Sequence, residues 1–352
     1  MTELAAVDGP YFEELAVGRV FDGAPAVTLT DGHAATHQAI VGDRLHLPLD
    51  AVLCTDVVGA GPLAHPALVW DLVIGQSTLA TRQVKANLFY RGLVFRHTPL
   101  IGDTLRTRAE VVALRRNRPR EGRPATGLAT LRVTAVDQQE RTVLDFWRCA
   151  MLPLRDERAR TGPAETTRVR SGEGPSGLGR SAGHIDTDPA FPEVTDADFA
   201  AAVAGWRLDR FAARAAGPRH SDLKAGDTWE ITGGDVVSSA PELARLTLNI
   251  AQVHHDAEAA GGARLVYGGH TIGIALAQAS RALPSIVTVA GWHGCDHTAP
   301  VREGDTLRSV LAVERVAPLP PGGGLVHLRS RVRVAGAEPR DVLDWRFAAV
   351  LP

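Results

Sequence analysis

Three segments of this 352-residue chain occur twice, in the same order. FEELAVGRVF (Phe12–Phe21) is echoed by SDLKAGDTWE (Ser221–Glu230), and LIGDTLRTRAEVVAL (Leu100–Leu114) by VREGDTLRSVLAVERV (Val301–Val316). LDFWRCAMLPL (Leu144–Leu154) is echoed by LDWRFAAVLP (Leu343–Pro352), which closes the chain. Counted between Gly18 and Gly226, Asp103 and Asp305, and Leu144 and Leu343, the offsets are 208, 202 and 199 residues. Solenoid repeats recur at roughly 20–50 residues, so spacings this long mean two similar domains. The expected division is residues 1–155, a linker at 156–200, and residues 201–352. A site that two identical subunits would build twice can then be built once, which frees one copy to lose its chemistry.

The join has its own composition. From Arg155 to Asp196, Gly, Pro, Ser, Thr and charged residues dominate and apolar periodicity is weak, as in a surface linker. The total length suits two compact domains, each with its own core. A hydrophobic fraction of 45% is that of an ordinary globular chain. The net charge of -2 gives no reason to expect nucleic acid or an acidic membrane surface as partner. No apolar run reaches the roughly 18 residues that a membrane span needs. The first residues carry acids where a signal peptide would carry Lys or Arg, so a cytoplasmic location is expected. Cys54, Cys149 and Cys295 form no CxxC pair and no disulfide framework.

Each copy has one strongly apolar helix candidate followed by a block of strands. In the first, PALVWDLVIGQSTLA (Pro66–Ala80) is apolar around nearly its whole circumference, which predicts a buried helix. The strands VKANLFYRGLVF, TLRTRAEVVAL, GLATLRVTAV and VLDFWRCAML follow. In the second, GGHTIGIALAQASRAL (Gly268–Leu283) precedes SIVTVAGWHGCDHT, TLRSVLAVERV, GLVHLRSRVRVAG and DVLDWRFAAVL. The GD before TLR in both copies is a turn signal. A buried helix wrapped by an antiparallel sheet, twice, is an α+β layout.

This order resembles the hot-dog fold. Its details resemble the MaoC-like acyl-CoA hydratase and dehydratase family in its fused, tandem (double) hot-dog form. FEELAVGRVF is similar to that family's opening, and VREGDTL to its turn into the second strand. ALVWDLVIGQST with ANLFYRG, and NIAQVHHD with RLVYGGH, are especially similar to the mesaconyl-CoA hydratase branch, also called β-methylmalyl-CoA dehydratase. The resemblance covers nearly the whole chain apart from the linker. It implies a hydro-lyase that adds water syn across the α,β double bond of a short-chain enoyl-CoA, branched and dicarboxylic acyl groups included, or removes it. A coenzyme A thioester is then the substrate. No redox cofactor and no metal are called for, and a homodimer of the fused chain is a conceivable assembly.

Such chemistry needs a base near the β-carbon, a polar group to hold water, and a donor for the thioester oxygen as an enolate develops. The family motif places an acidic residue, then a histidine five positions later, on a turn after a helix. In the second copy Asn249 and His254 hold these positions. The resemblance therefore implies that His254 is the acid and base. Asn249 stands where the family usually has Asp; Asn can orient a water but cannot take a proton. Taken alone, a histidine in a VHHD run reads as a hydrogen-bonded loop residue; only the motif context lifts it. His255 is placed in the substrate pocket, and Asp256 is as apt to brace the loop as to touch substrate. Tyr267-Gly268-Gly269-His270 opens the buried helix. Glycines there let backbone approach a ligand, and the first turn offers unsatisfied N–H groups and the positive end of the helix dipole. Gly268 and Gly269 can thus polarise a thioester oxygen, with Tyr267 and His270 in the pocket. The plain alternative is that both glycines serve tight packing.

In the first copy the acid is present as Asp43, but Pro48 stands where the base would be and His46 follows Asp43 by three. The two copies have decayed in complementary ways. The resemblance implies that the second works and the first holds the acyl chain, with Asp43 a structural or pocket residue. In Trp292-His293-Gly294-Cys295-Asp296-His297, period two puts His293, Cys295 and His297 on one side of a strand. Three such ligands could bind zinc. The commoner reading makes Trp292 or His293 part of the acyl pocket. A substrate carboxylate could pair with one of these or with Arg264. No GxGxxG with a ribose-binding acid, no Walker-type loop and no GxSxG elbow occurs. Two rivals survive. A hot-dog thioesterase would want a carboxylate on the central helix, and Gly268–Leu283 has none. A non-catalytic acyl-CoA or acyl-carrier binding module is disfavoured by His254 and favoured by Asn249.

Overall fold

A computed structural model describes residues 8–118, 121–122, 124–155 and 191–352. Most of the linker expected at 156–200 lies outside these residues; its end forms the short helix Asp196–Ala201. The first half is built from helix α1 (Pro66–Gln76) and strands β1 (Ala86–Phe95), β2 (Thr104–Arg116), β3 (Thr126–Val136) and β4 (Thr142–Pro153). The second repeats the plan with α2 (Gly268–Ala282), β5 (Thr288–His297), β6 (Thr306–Leu319), β7 (Gly323–Val334) and β8 (Arg340–Leu351).

The repeated GD has a local cause. Gly102 and Gly304 sit at φ 104° and 91°, in the left-handed region that glycine enters without a Cβ clash. The carboxylates of Asp103 and Asp305 then accept from the backbone N–H of Leu100 and Arg302, at 2.7 and 2.8 Å. The central helices are held alike: Gln76 donates to the Leu105 carbonyl and Gln278 to that of Leu307. All eleven residues of α1 are buried, as its apolar circumference requires.

The strands run in one antiparallel sheet in the order β2-β3-β4-β1-β5-β8-β7-β6, with the short strands Val20–Phe21 and Thr228–Glu230 at its ends. The order reads the same from either end. The seam is β1 against β5, with Tyr90 opposite Cys295 and Leu93 opposite Trp292. Each half wraps its own helix, so the molecule is a double hot-dog. One apolar core crosses the seam and contains residues of both helices and both sets of strands. At its centre Trp70 of α1 meets Trp292 of β5 at 4.8 Å and Trp345 of β8 at 6.1 Å between ring centroids. Among the described residues no helix is long and apolar enough to cross a membrane.

Strand β5 departs from simple alternation at a place that matters for the histidines. Against β8, Gly294 pairs with Arg346 but Trp292 pairs with Phe347, so His293 is the extra residue of a β-bulge. Trp292 and Cys295 therefore both face the core. His293 turns outward, 2.8 Å from His327 and edge-on to Phe199. The expectation that His293, Cys295 and His297 share a face is corrected, because the bulge inverts the strand between the first two. Among the described residues no three His, Cys, Asp or Glu side chains are grouped to hold a metal ion.

Candidate active site

The loop carrying Asn249 and His254 is fixed by both halves. The Asn249 N–H donates to the Ala244 carbonyl at 2.8 Å. The Ile250 N–H donates to the Thr78 hydroxyl at 3.0 Å, and the Gln252 N–H to the Arg82 carbonyl, so the first half grips the loop. His255 donates from Nε2 to the Asn249 carbonyl at 2.6 Å. Asp256 accepts from the Glu258 N–H in a local turn. Both residues brace the loop from outside the cavity.

The cavity beside this loop has a volume of about 690 Å³, within the range of small-ligand sites. Asn249, His254, Tyr267, Gly268 and His297 line it from the second half; Lys85, Asn87, Tyr90 and Arg148 line it from the first. The Asn249 Oδ1 accepts from the Ala251 N–H at 3.0 Å, which leaves Nδ2 as a buried donor without a hydrogen-bond partner. His254 Nδ1 lies 2.8 Å from the Leu265 carbonyl. A carbonyl only accepts, so Nδ1 carries the proton and Nε2 is the basic nitrogen. Burial lowers the His254 pKa to about 4, with help from the nearby His255 and Arg148, so the ring is neutral at pH 7.

Gly268 is the first residue of α2, whose N-terminus has no side-chain cap. Of its first-turn N–H groups, that of His270 donates to the Tyr267 carbonyl while that of Gly268 is available to a ligand, and Gly268 lines the cavity. A Cβ there would come within 2.7 Å of His297 Nε2. Gly269 answers to the other reading: it lies off the cavity, and a Cβ would overlap the Asp71 carboxylate of α1.

Several pocket assignments are corrected by these positions. Asp43, His255, His270, Trp292 and His293 do not line the cavity. Trp292 belongs to the seam, where the antiparallel pairing of β1 and β5 buries it against Trp70 and Tyr90. His270 is buried in α2 with neither ring nitrogen hydrogen-bonded. Arg264 pairs with Glu303 at the surface, 3.2 Å away.

Asp43 repeats the local geometry of Asn249: its Oδ1 accepts from the Leu45 N–H at 2.8 Å, two residues on. There, however, His65 Nε2 lies 2.7 Å from the same oxygen and fills the space. Burial raises the Asp43 pKa, but the charge and hydrogen bond of His65 outweigh it and hold the carboxyl below its usual range. Beside this pair, His37 Nε2 is 3.1 Å from the Asp71 carboxylate, and burial pushes the Asp71 pKa up. The first copy's site is thus packed shut with its own side chains. Asp71 is a carboxylate on a central helix, as a thioesterase would need, but it is fully buried and lies off the cavity.

Sequence reading missed Arg148, Tyr90, Asn87 and His297 as cavity residues, and His37, His65 and Asp71 as a cluster. The first group is brought to the second copy's loop by the seam between β1 and β5. Arg148 left one signal: its counterpart in the repeated LDFW and LDWR segments is Phe347.

Burial of uncharged histidines has a measurable consequence. His254, His270 and His297 are each held at about 4 by burial, against 6.5 for a free side chain. Between these values the unfolded chain binds protons that the folded one refuses. Stability will therefore fall as pH drops from about 6.5 to about 4, and hold steady above that window. Thermal melts between about pH 7.5 and 5 check this; an unchanged Tm would contradict it.

A family model described as mesaconyl-CoA hydratase matches residues 4–318. The chain is 27% identical over 350 residues to the β-methylmalyl-CoA dehydratase of Chloroflexus aurantiacus, covering 96% of this chain and 91% of that one. It is 27% identical over 338 residues to the mesaconyl-CoA hydratase of Cereibacter sphaeroides, covering 94% and 91%. A conserved hypothetical protein of Mycobacterium tuberculosis with a double hot-dog fold superposes with a TM-score of 0.83 at 50% identity, covering 98% of this chain and 99% of that one.

Proposed function

The chain belongs to the mesaconyl-CoA hydratase family, an acyl-CoA hydratase and dehydratase family, and from that premise we propose that the cavity beside the Asn249–His254 loop hydrates a short-chain enoyl-CoA, or reverses that reaction, with His254 as the base and acid. The observation that carries this reading is the pairing of two free groups in one cavity: the basic Nε2 of His254 and the unpartnered Nδ2 of Asn249. Asn249 donates to the oxygen of a water and holds it. His254 Nε2 takes one proton of that water as its oxygen bonds to the β-carbon. Electron density moves through the α-carbon to the thioester oxygen, where the Gly268 N–H and the helix dipole stabilise the enolate. His254 then returns the proton to the α-carbon on the same face, so the addition is syn. These steps call on no redox cofactor and no metal. The first half contributes the cavity wall and the grip on the loop, and its own shut site takes no part.

The wild-type protein should consume crotonyl-CoA or mesaconyl-CoA with loss of the enoyl-thioester absorbance, or form it from the hydrated thioester. Asn249→Ala should lower kcat, by less than loss of the base costs, since only water positioning is removed. Asp43→Asn should move Tm and leave kcat in place. Wild-type protein without activity on the panel in either direction would reject the hydratase reading in favour of a binding module.

A further inference from the structure

His297 ends β5 and lines the cavity, and its buried Nε2 has no hydrogen-bond partner. That nitrogen stands at the start of α2: a Cβ on Gly268 would come within 2.7 Å of Nε2 and 2.8 Å of Cε1. Only glycine lets the ring edge approach the helix start so closely, beside the Gly268 N–H. The neighbouring Tyr267 commits its hydroxyl proton to the Asp71 carbonyl at 2.9 Å. Burial lowers the His297 pKa to about 4, so the ring is uncharged at pH 7. An uncharged imidazole keeps one N–H, and such a donor can polarise a carbonyl.

The shut twin site differs at both of these places. Strand β1 ends on Phe95 opposite Leu144, as β5 ends on His297 opposite Leu343. Helix α1 begins with Pro66, as α2 begins with Gly268. Both pairs are 202 residues apart, the offset of Asp103 from Asp305 and of Gln76 from Gln278. Phe95 packs against Trp70 in the core, and Pro66 has no N–H. The shut copy therefore lacks a donor at the helix start and at the strand end alike, in the half where Pro48 stands at the base position.

We propose that His297 is a second donor to the thioester oxygen, its Nε2–H binding that oxygen together with the Gly268 N–H as the enolate develops. This rests on the hydratase reading of the same cavity. His254 then moves the proton, Asn249 holds the water, and His297 shares with Gly268 the charge that reaches the oxygen.

Two variants separate a donor from a base and from a packing residue. His297→Leu removes the N–H and should lower kcat on crotonyl-CoA by about 10²-fold, the scale for loss of one oxyanion donor. The ratio kcat/KM should fall in parallel, because the contact strengthens only as charge develops. His297→Gln keeps an uncharged N–H but no base, and should recover most of that loss. The carbonyl gives the direct readout. Butyryl-CoA has no double bond to hydrate; labelled with 13C at the thioester carbon and bound to the wild type, its C=O stretch should move to lower frequency. In His297→Leu the stretch should return most of the way to the free value, and in His297→Gln it should stay near wild type. Wild-type kcat in His297→Leu, the same C=O stretch in wild type and His297→Leu, or a Gln variant as slow as the Leu variant would overturn the proposal. Should His297→Leu fail to fold, His297→Phe, the residue that the twin site buries here, takes its place. Should that fail as well, the 15N resonance of His297 Nε2 in the wild type must shift when butyryl-CoA binds, and an unmoved resonance overturns the role of His297. Wild-type turnover of neither crotonyl-CoA nor mesaconyl-CoA would sink the hydratase reading, while the carbonyl stretch would still judge His297.

Discussion

Replacing His254 with alanine or glutamine should lower kcat by at least about 10²-fold, the usual scale for loss of a general acid–base group. The size of the effect follows from how completely the structure commits this ring. The Leu265 carbonyl fixes Nδ1 as the protonated nitrogen, so Nε2 faces the reaction with no tautomer to exchange. Burial keeps the ring uncharged, and the neighbouring Asn249 cannot accept a proton in its place. KM should change less than kcat, because in the proposed mechanism His254 acts on the water and not on the coenzyme A arm. His297 is the informative control. It also lines the cavity, and its Nε2 has no hydrogen-bond partner. His297→Gln should retain most of kcat. His46 opens a short helix in the first half and packs against Phe211, off the cavity, so His46→Ala should leave turnover near wild type. Steady-state hydration rates decide the matter. A His254→Ala enzyme near wild type beside an inactive His297→Gln enzyme would move the base to the other histidine.

Gly75→Ala should be the most damaging small change outside the cavity. A Cβ on Gly75 would overlap the carbonyl oxygen of Thr247 and come within 2.8 Å of the carbonyl carbon. These are backbone atoms, so no side-chain rotation relieves the clash. Thr247 lies two residues before Asn249, and Thr78, three residues after Gly75, holds the Ile250 N–H. Helix α1 and the loop that leads to Asn249 must separate for the methyl group to enter. Overpacking of this kind costs about 1–3 kcal/mol and sometimes more. The folded fraction should also lose kcat by more than about 10-fold, because a misplacement of about 1 Å at the reacting groups is enough for such a loss. Gly336→Ala is the control, since a Cβ there meets nothing within 4 Å. Thermal melts with parallel kcat measurements test the pair; wild-type values for Gly75→Ala would show the loop to be freer than its contacts imply.

The duplication was legible because its turns demand particular residues. Only glycine suits the left-handed backbone at Gly102 and Gly304, and the aspartate that follows each one closes the same turn. The buried helices were legible because α1 has no polar face to expose. His254 was placed by motif spacing, and the cavity contains it. What spacing could not show was pairing across the seam. Tyr90, Asn87 and Arg148 approach the second copy's loop only because β1 lies beside β5. The strand holding His293 misled for a local reason: a single bulge undoes the alternation on which any strand reading depends. His65 carries no motif at all, and its closure of the first copy's site follows from the packing of α1 against the Asp43 turn.

The tryptophans at the seam give the molecule an internal optical gauge. Trp70 comes from one half, Trp292 and Trp345 from the other, and the three rings lie 4.8 to 6.1 Å apart. Indoles this close share their excitation, so the coupling of Trp70 to Trp292 and Trp345 in the near-ultraviolet circular dichroism registers the docking of the two halves, beside the pairing of Trp292 with Trp345 inside the second half. The loop carrying Asn249 and His254 is gripped by Thr78 and Arg82 of the first half, so light absorbed by these rings also reports on whether the two halves that hold this loop stay together.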